Sequence, residues 1–173
     1  MKKLRQLQYI LFLLLVNETL YADYPTAPKF QLPTSEGTLR LSHLQGKLVY
    51  IDFWASWCRP CKKSFPWMIA MKQKYKHLPF EIIAINLDKD KKLADAFIAS
   101  QNINFPIAFD PSATVANQYQ IEGMPSSYLI DPSGNLRIRY TGFWNKSKDD
   151  KEKLISNLLQ TITKQNNLSL RSN

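Results

Sequence analysis

Sulfur is scarce in this chain. Its 173 residues include two cysteines, both within Trp57-Cys58-Arg59-Pro60-Cys61. That excludes a disulfide-stapled scaffold. A bridge stabilises mainly by closing a long loop of the unfolded chain, and this pair encloses two residues. Histidine is equally rare. His43 lies 15 residues before Cys58 and His77 lies 16 after Cys61, which is not paired-ligand spacing. Cys-x-x-Cys alone is half a zinc site, so no metal is expected, and each histidine reads as a surface or helix-end residue. The chain has no internal repeat and no low-complexity tract. It also lacks a Pro-x-x-x-Thr-x-x-Cys pattern, which argues against a peroxidase. The apolar run at residues 9–16 is far shorter than the roughly 20 residues a membrane span needs, and the tail has no second one.

That short run has a different meaning at its position. Lys2, Lys3 and Arg5 precede it, and a polar stretch ending in Ala22 follows. This is the order of a secretory signal peptide, residues 1–22, with an uncleaved N-terminal anchor as the alternative. Residues 23–173 then form one domain, expected in the periplasm or another extracytoplasmic space. The leader carries +2 of the formal +9 charge, leaving +7. Such a balance can mark a nucleic-acid binder. Here the lysines are scattered as on solvated helix faces, and export removes that partner.

The pattern after residue 23 is that of an α/β domain. Two short alternating runs around Glu36-Gly37 predict an N-terminal hairpin. Residues 47–54 and 80–87 are apolar on both alternating faces, the profile of doubly buried strands. Between them, residues 58–77 show helical spacing, with Pro66 inside. Strand, helix and strand make a parallel pair with a crossover. Further on, 91–101 reads as a helix and 105–109 as a strand. Residues 110–120 read as a helix capped by Asp110 with Pro111 in its first turn. Residues 126–130 and 136–142 are strands joined by a tight turn. Residues 147–165 form a helix with a Leu/Ile stripe, and the last eight residues are expected to fray. The fold class is a central mixed sheet with helices on both faces.

The sulfur then has a chemical reading. Cys58 follows a buried strand and sits where a helix starts, so the dipole and free backbone donors favour its thiolate. Arg59, Lys62 and Lys63 add positive charge. Cys61 lies one turn later on the same face, inside the helix and more shielded. An exposed thiolate opens a disulfide to give a mixed disulfide, and a second thiol behind it resolves the adduct.

These same residues carry a family resemblance. Asp52-Phe-Trp-Ala-Ser-Trp-Cys-Arg-Pro-Cys-Lys62 resembles the active-site segment of thioredoxins. Pro66 matches the proline of that helix, and Pro125, in 121–136, matches the family's cis-proline. The leading residues 27–47 and an extra helix and strand at about 89–109 resemble the TlpA/ResA-like exported branch. The resemblance implies a thioredoxin-like fold and a thiol:disulfide oxidoreductase whose redox-active disulfide is Cys58–Cys61, with no cofactor. It implies that Cys58 attacks and Cys61 resolves. Trp57, Met124 and Pro125 would bind the client, the Met124 backbone pairing with an extended strand. Asp52 would be the buried acid that takes the proton of Cys61, a hydrogen-bonded core residue being the plain alternative. Arg59 would tune the thiol.

The departures bear on the client. Where many TlpA/ResA-like proteins have an acid three residues after the second cysteine, this chain has Ser64. After the cis-proline it has Ser126. At the place of thioredoxin's lysine partner to the buried acid it has Ala84. The acids tied to cytochrome c assembly are thus missing, although apocytochrome c stays among the expected clients. Arg59 beside an exposed thiolate is worth about 1 kcal/mol, or on the order of 20 mV, against the roughly 150 mV that this fold spans. Disulfide reduction in exported proteins, by a monomer fed by a membrane-embedded thiol reductant, is the expectation. Alternatives are an oxidase or isomerase of the same fold, drawing on a membrane oxidant, and a copper- or other metal-binding thioredoxin-like protein. A further rival is a pure binding module using a groove around Trp57, Met124 and Trp144.

Overall fold

Apolar runs with period-two or unbroken burial build the sheet, and amphipathic segments cover it. The computed structural model describes residues 24–171. The segment 1–22, on which the export expectation rests, lies outside the described residues.

The strands are β1 (Gln31–Thr34), β2 (Gly37–Arg40), β3 (Leu48–Trp54), β4 (Phe80–Asn86), β5 (Ile107–Phe109), β6 (Ser126–Ile130) and β7 (Leu136–Thr141). The helices are α1 (Arg59–Lys74), α2 (Lys91–Ala99), α3 (Thr114–Gln118) and α4 (Asn145–Arg171). One seven-stranded sheet runs in the order β2-β1-β5-β4-β3-β6-β7. β3 is parallel to β4, β4 is parallel to β5, and the remaining neighbours are antiparallel. The expected mixed sheet, the N-terminal hairpin and the extra helix and strand are all present. The extra strand has a structural use: β5 carries the hairpin, through Thr34 opposite Ala108.

β3 is central and buried along its whole length. Its even residues Leu48, Tyr50 and Trp54 face a core made with α1, α2 and α4. Its odd residues Val49, Ile51 and Phe53 face a second core, closed by the N-terminal segment and α3. Helices therefore cover both faces. Asp131 fixes the β6–β7 turn by accepting N–H bonds from Ser133 and Asn135, both at 3.0 Å. Gly134 provides the positive φ of 90° there.

Two helix boundaries depart furthest from the sequence expectation. α3 starts at Thr114, because residues 110–113 form a turn in which the Ala113 N–H reaches the Asp110 carbonyl at 2.9 Å and Ala113 takes φ 56°. Asp110 still serves that helix, accepting from the N–H groups of Thr114 and Ala116 at 3.0 and 2.9 Å. α4 does not fray after residue 165 but continues to Arg171. Residues 166–171 contain no glycine or proline to stop it. α1 runs unbroken through Pro66.

Candidate active site

The cysteine loop is held from beneath by the neighbouring strand. Leu87, just past the end of β4, donates its N–H to the Trp54 carbonyl at 2.9 Å. Asp88 is buried, and its carboxylate accepts the Ser56 N–H at 2.8 Å and the Ser56 hydroxyl at 2.9 Å. Asn86 donates its side-chain amide to Asp88 at 2.8 Å and accepts the Asp88 N–H at 3.0 Å. This bracket fixes the turn that delivers Cys58 to the start of α1. Sequence reading missed it, because its three residues are spread over 32 positions and meet only through the parallel pairing of β3 and β4.

Cys58 is the N-cap of α1, and its Sγ accepts the Cys61 N–H at 3.3 Å. Cys58 and Cys61 are joined as a disulfide, with Cα atoms 5.3 Å apart, so the molecule is in its oxidised form. The expected order of access holds, with a correction of degree. Cys61 is 0% exposed and Cys58 only 5% exposed. Cys58 is a sulfur at the bottom of a cleft rather than an open one, because the walls of that cleft stand above it. Trp57, Arg59 and Pro60 line it from the cysteine loop, and Ile121, Glu122, Gly123 and Met124 from the segment before β6.

Trp57 is 69% exposed, a large apolar surface beside the sulfurs. The Met124–Pro125 peptide is cis, with Met124 half-buried and Pro125 buried behind it. The Gly142 N–H holds this turn through the Pro125 carbonyl at 2.7 Å, and the Ser126 hydroxyl donates to the Gly123 carbonyl at 2.7 Å. Arg59 is exposed at the first turn of α1. Trp144, expected in the same groove, is elsewhere: it lines a separate groove with Trp67 and Phe143, because the β7–α4 connection packs against the flank of α1.

Below the disulfide lies Asp52, fully buried. The Ser64 hydroxyl stands between it and the cysteine turn. That hydroxyl donates to the Cys61 carbonyl at 2.7 Å and lies 3.5 Å from Asp52 Oδ2. Asp52 Oδ1 is buried without a hydrogen-bond partner. Burial raises the carboxyl to about 7, against the opposing influence of the Lys151 charge, Ser64 and Tyr50. An acid so placed exchanges protons near neutrality.

Ala84, expected where thioredoxins place a lysine partner to the buried acid, pairs with Asp52 across β3 and β4. Among the described residues, no three His, Cys, Asp or Glu side chains gather as a metal site. His43 and His77 are both exposed, His43 between β2 and β3 and His77 in the turn between α1 and β4. No helix among the described residues is long and apolar enough to cross a membrane.

Comparison with known proteins agrees with this geometry. Residues 25–139 match the AhpC/TSA family. The thiol-disulfide oxidoreductase ResA of Bacillus subtilis is 36% identical over 122 residues, covering 70% of this chain and 68% of that protein. A ResA of Bacillus cereus is 33% identical and covers 94% of this chain and 99% of its own length. Among solved structures, one described as a thiol:disulfide interchange protein DsbE from Chlorobium tepidum superposes with a TM-score of 0.77 at 42% identity. It covers 79% of this chain and 96% of that one.

Proposed function

Because the chain belongs to the AhpC/TSA family and is a thiol-disulfide oxidoreductase of the ResA and DsbE type, we propose that it reduces disulfides of exported proteins in an extracytoplasmic space. The observation that carries this reading is the graded access of the two sulfurs: Cys58 narrowly open at a helix N-cap in a cleft lined by Trp57, Ile121 and Met124 with Arg59 and Glu122, Cys61 sealed behind it.

In the reduced protein, the Cys58 thiolate attacks one sulfur of a client disulfide. The client's other sulfur leaves as a thiolate and takes a proton from water. Cys61 then attacks Cys58 Sγ, and its proton passes to the Asp52 carboxylate. The second client sulfur leaves, and the Cys58–Cys61 disulfide forms. The client gains two electrons and the protein loses two. The next turnover requires a donor, and a membrane-embedded thiol reductant fits an exported location. In this reading the residues 1–22 export the chain or anchor it, and residues 23–173 are its single working domain. The extended client strand lies along Met124 and Pro125, with Trp57 covering it.

The reductive direction is supported by what surrounds Cys58. Its thiolate gains from one helix N-terminus and from cations that water screens. The Lys62 ammonium rests over the Phe97 ring, 5.4 Å from its centroid. The cations that flank Cys58 in sequence, Arg59, Lys62 and Lys63, are all exposed, so water screens their pull toward oxidation. Apocytochrome c is one candidate among such clients.

The test is a Cys61→Ser variant expressed in the native host. It is expected to accumulate clients bound through Cys58, identifiable by mass after alkylation. Clients recovered in their pre-reduction state would fit the proposal. The absence of any Cys58-dependent adduct would overturn it.

A further inference from the structure

Among the described residues, the most deeply buried cation is on α4. Lys151 is 1% exposed. Its ammonium donates to the Tyr50 hydroxyl at 3.3 Å. It lies 4.9 Å from the Tyr140 ring centroid and 5.3 Å from that of Phe143. A buried lysine without a counter-charge is strongly unfavourable. Structural need does not account for it, because a methionine would fill the same space at no such cost.

The counter-charge is on the adjacent position of the same strand face. Tyr50 and Asp52 are two residues apart on β3, so both side chains point toward α1 and α4. At the position across the strand pair from Asp52, β4 offers only Ala84, and β6 offers Ser127. α1 contributes Ser64 and the cysteines, and β7 contributes Tyr140. Among these elements, α4 alone brings a full positive charge to the cluster.

We propose that Lys151, through the Tyr50 hydroxyl, is the positioning residue that holds Asp52 ready to receive the proton of Cys61. The inference rests on the role of Asp52 given above. The helix cation keeps the carboxylate form accessible at neutral pH, while the carboxyl's burial works the other way. In line with this, the Lys151 charge opposes the rise of Asp52, and burial lowers the lysine itself. The step stays balanced as written: Cys61 loses its proton to Asp52, its sulfur bonds to Cys58 Sγ, and the client thiolate departs.

The experiment follows the resolving step alone. The reduced protein is loaded at Cys58 with a coloured nitrothiobenzoate, and release of that thiolate by Cys61 is timed across pH. Wild type should show a rising profile governed by Asp52. Lys151→Met should move that profile upward by about one pH unit, giving roughly tenfold slower release on its acid side. Lys151→Arg, which keeps the charge, should restore most of it. Carboxyl-carbon NMR of Asp52 in the same variants provides a second reading that does not depend on turnover, and should shift in the same direction. Asp52→Asn separates the two claims. If it leaves the profile unchanged, the role of Asp52 fails and this inference fails with it. If Asp52→Asn flattens the profile while Lys151→Met keeps the wild-type midpoint, or Lys151→Arg moves as far as Lys151→Met, only the Lys151 inference is overturned.

Discussion

The two faces of strand β3 are solved differently. On the face toward α3, the polar atoms of the core aromatics are satisfied. The Tyr119 hydroxyl donates to the Pro28 carbonyl at 2.9 Å, and the Tyr128 hydroxyl to the Tyr119 carbonyl at 2.5 Å. Phe30, Phe53, Tyr119 and Tyr128 pack around them, edge to face except for the tilted Phe53–Tyr119 pair. On the face toward α1 and α4, Asp52 Oδ1, Trp54 Nε1 and Trp67 Nε1 are buried without partners. Lys151 is buried there too. Buried polar groups are normally paired, and exceptions call for a reason. Here they lie on the side of the sheet whose core also holds the disulfide. One face of the strand satisfies its polar groups, and the other keeps an acid and a cation buried at a cost in stability.

This contrast can be broken from either side. The largest effect belongs to the reactive face: Cys58→Ser should abolish exchange with any disulfide, measured as thiol release, while leaving the fold intact. The closed face should respond in stability instead. Phe53→Ala should cost about 3–5 kcal/mol in denaturant unfolding, and exchange by the protein that remains folded should proceed at the wild-type rate.

Asp52→Asn should do the opposite of a core mutation. The carboxyl titrates near 7 in the fold and near 4 when unfolded. Between those values the folded form keeps a proton that the unfolded form has lost. Stability therefore falls as pH rises through that window and stays lowered above it. The uncharged variant should be more stable than wild type by about 2–4 kcal/mol above pH 7, less whatever Lys151 loses with its counter-charge. The difference should vanish near pH 4. A destabilised Asp52→Asn protein at pH 8 would mean the acid is an ordinary paired core residue. Last, Tyr119→Phe should cost only about 1 kcal/mol and leave exchange untouched.

The strand-helix-strand core was readable because its burial is written in local pattern. Unbroken apolar runs give β3 and β4, and 3.6-residue spacing gives α1. Alternation alone points Asp52 inward. The cysteine pair was readable because two thiols one turn apart at a helix start have few other uses. Lys151 was not read, although a signal existed. It lies four residues before Ile155, on the stripe that continues through Leu159 and Ile162. A lysine on an apolar stripe is usually a helix-edge residue whose amine reaches solvent. Only the way α4 docks against β3 and β7 sinks this one, and docking angle is not local information. The Ser56–Asp88–Asn86 bracket is hidden for the same reason. The shallow exposure of Cys58 depends on walls from residues 121–124, which arrive from the far side of the fold.

The central claim is that one sulfur meets clients and the other finishes the transfer. It is tested most directly by equilibrating the purified protein with glutathione buffers of graded potential, quenching, and locating adducts by mass. The account predicts a single two-electron transition in which both cysteines change together, with any transient glutathione adduct on Cys58 alone. Adducts on Cys61, or a disulfide that does not exchange with glutathione, would contradict it.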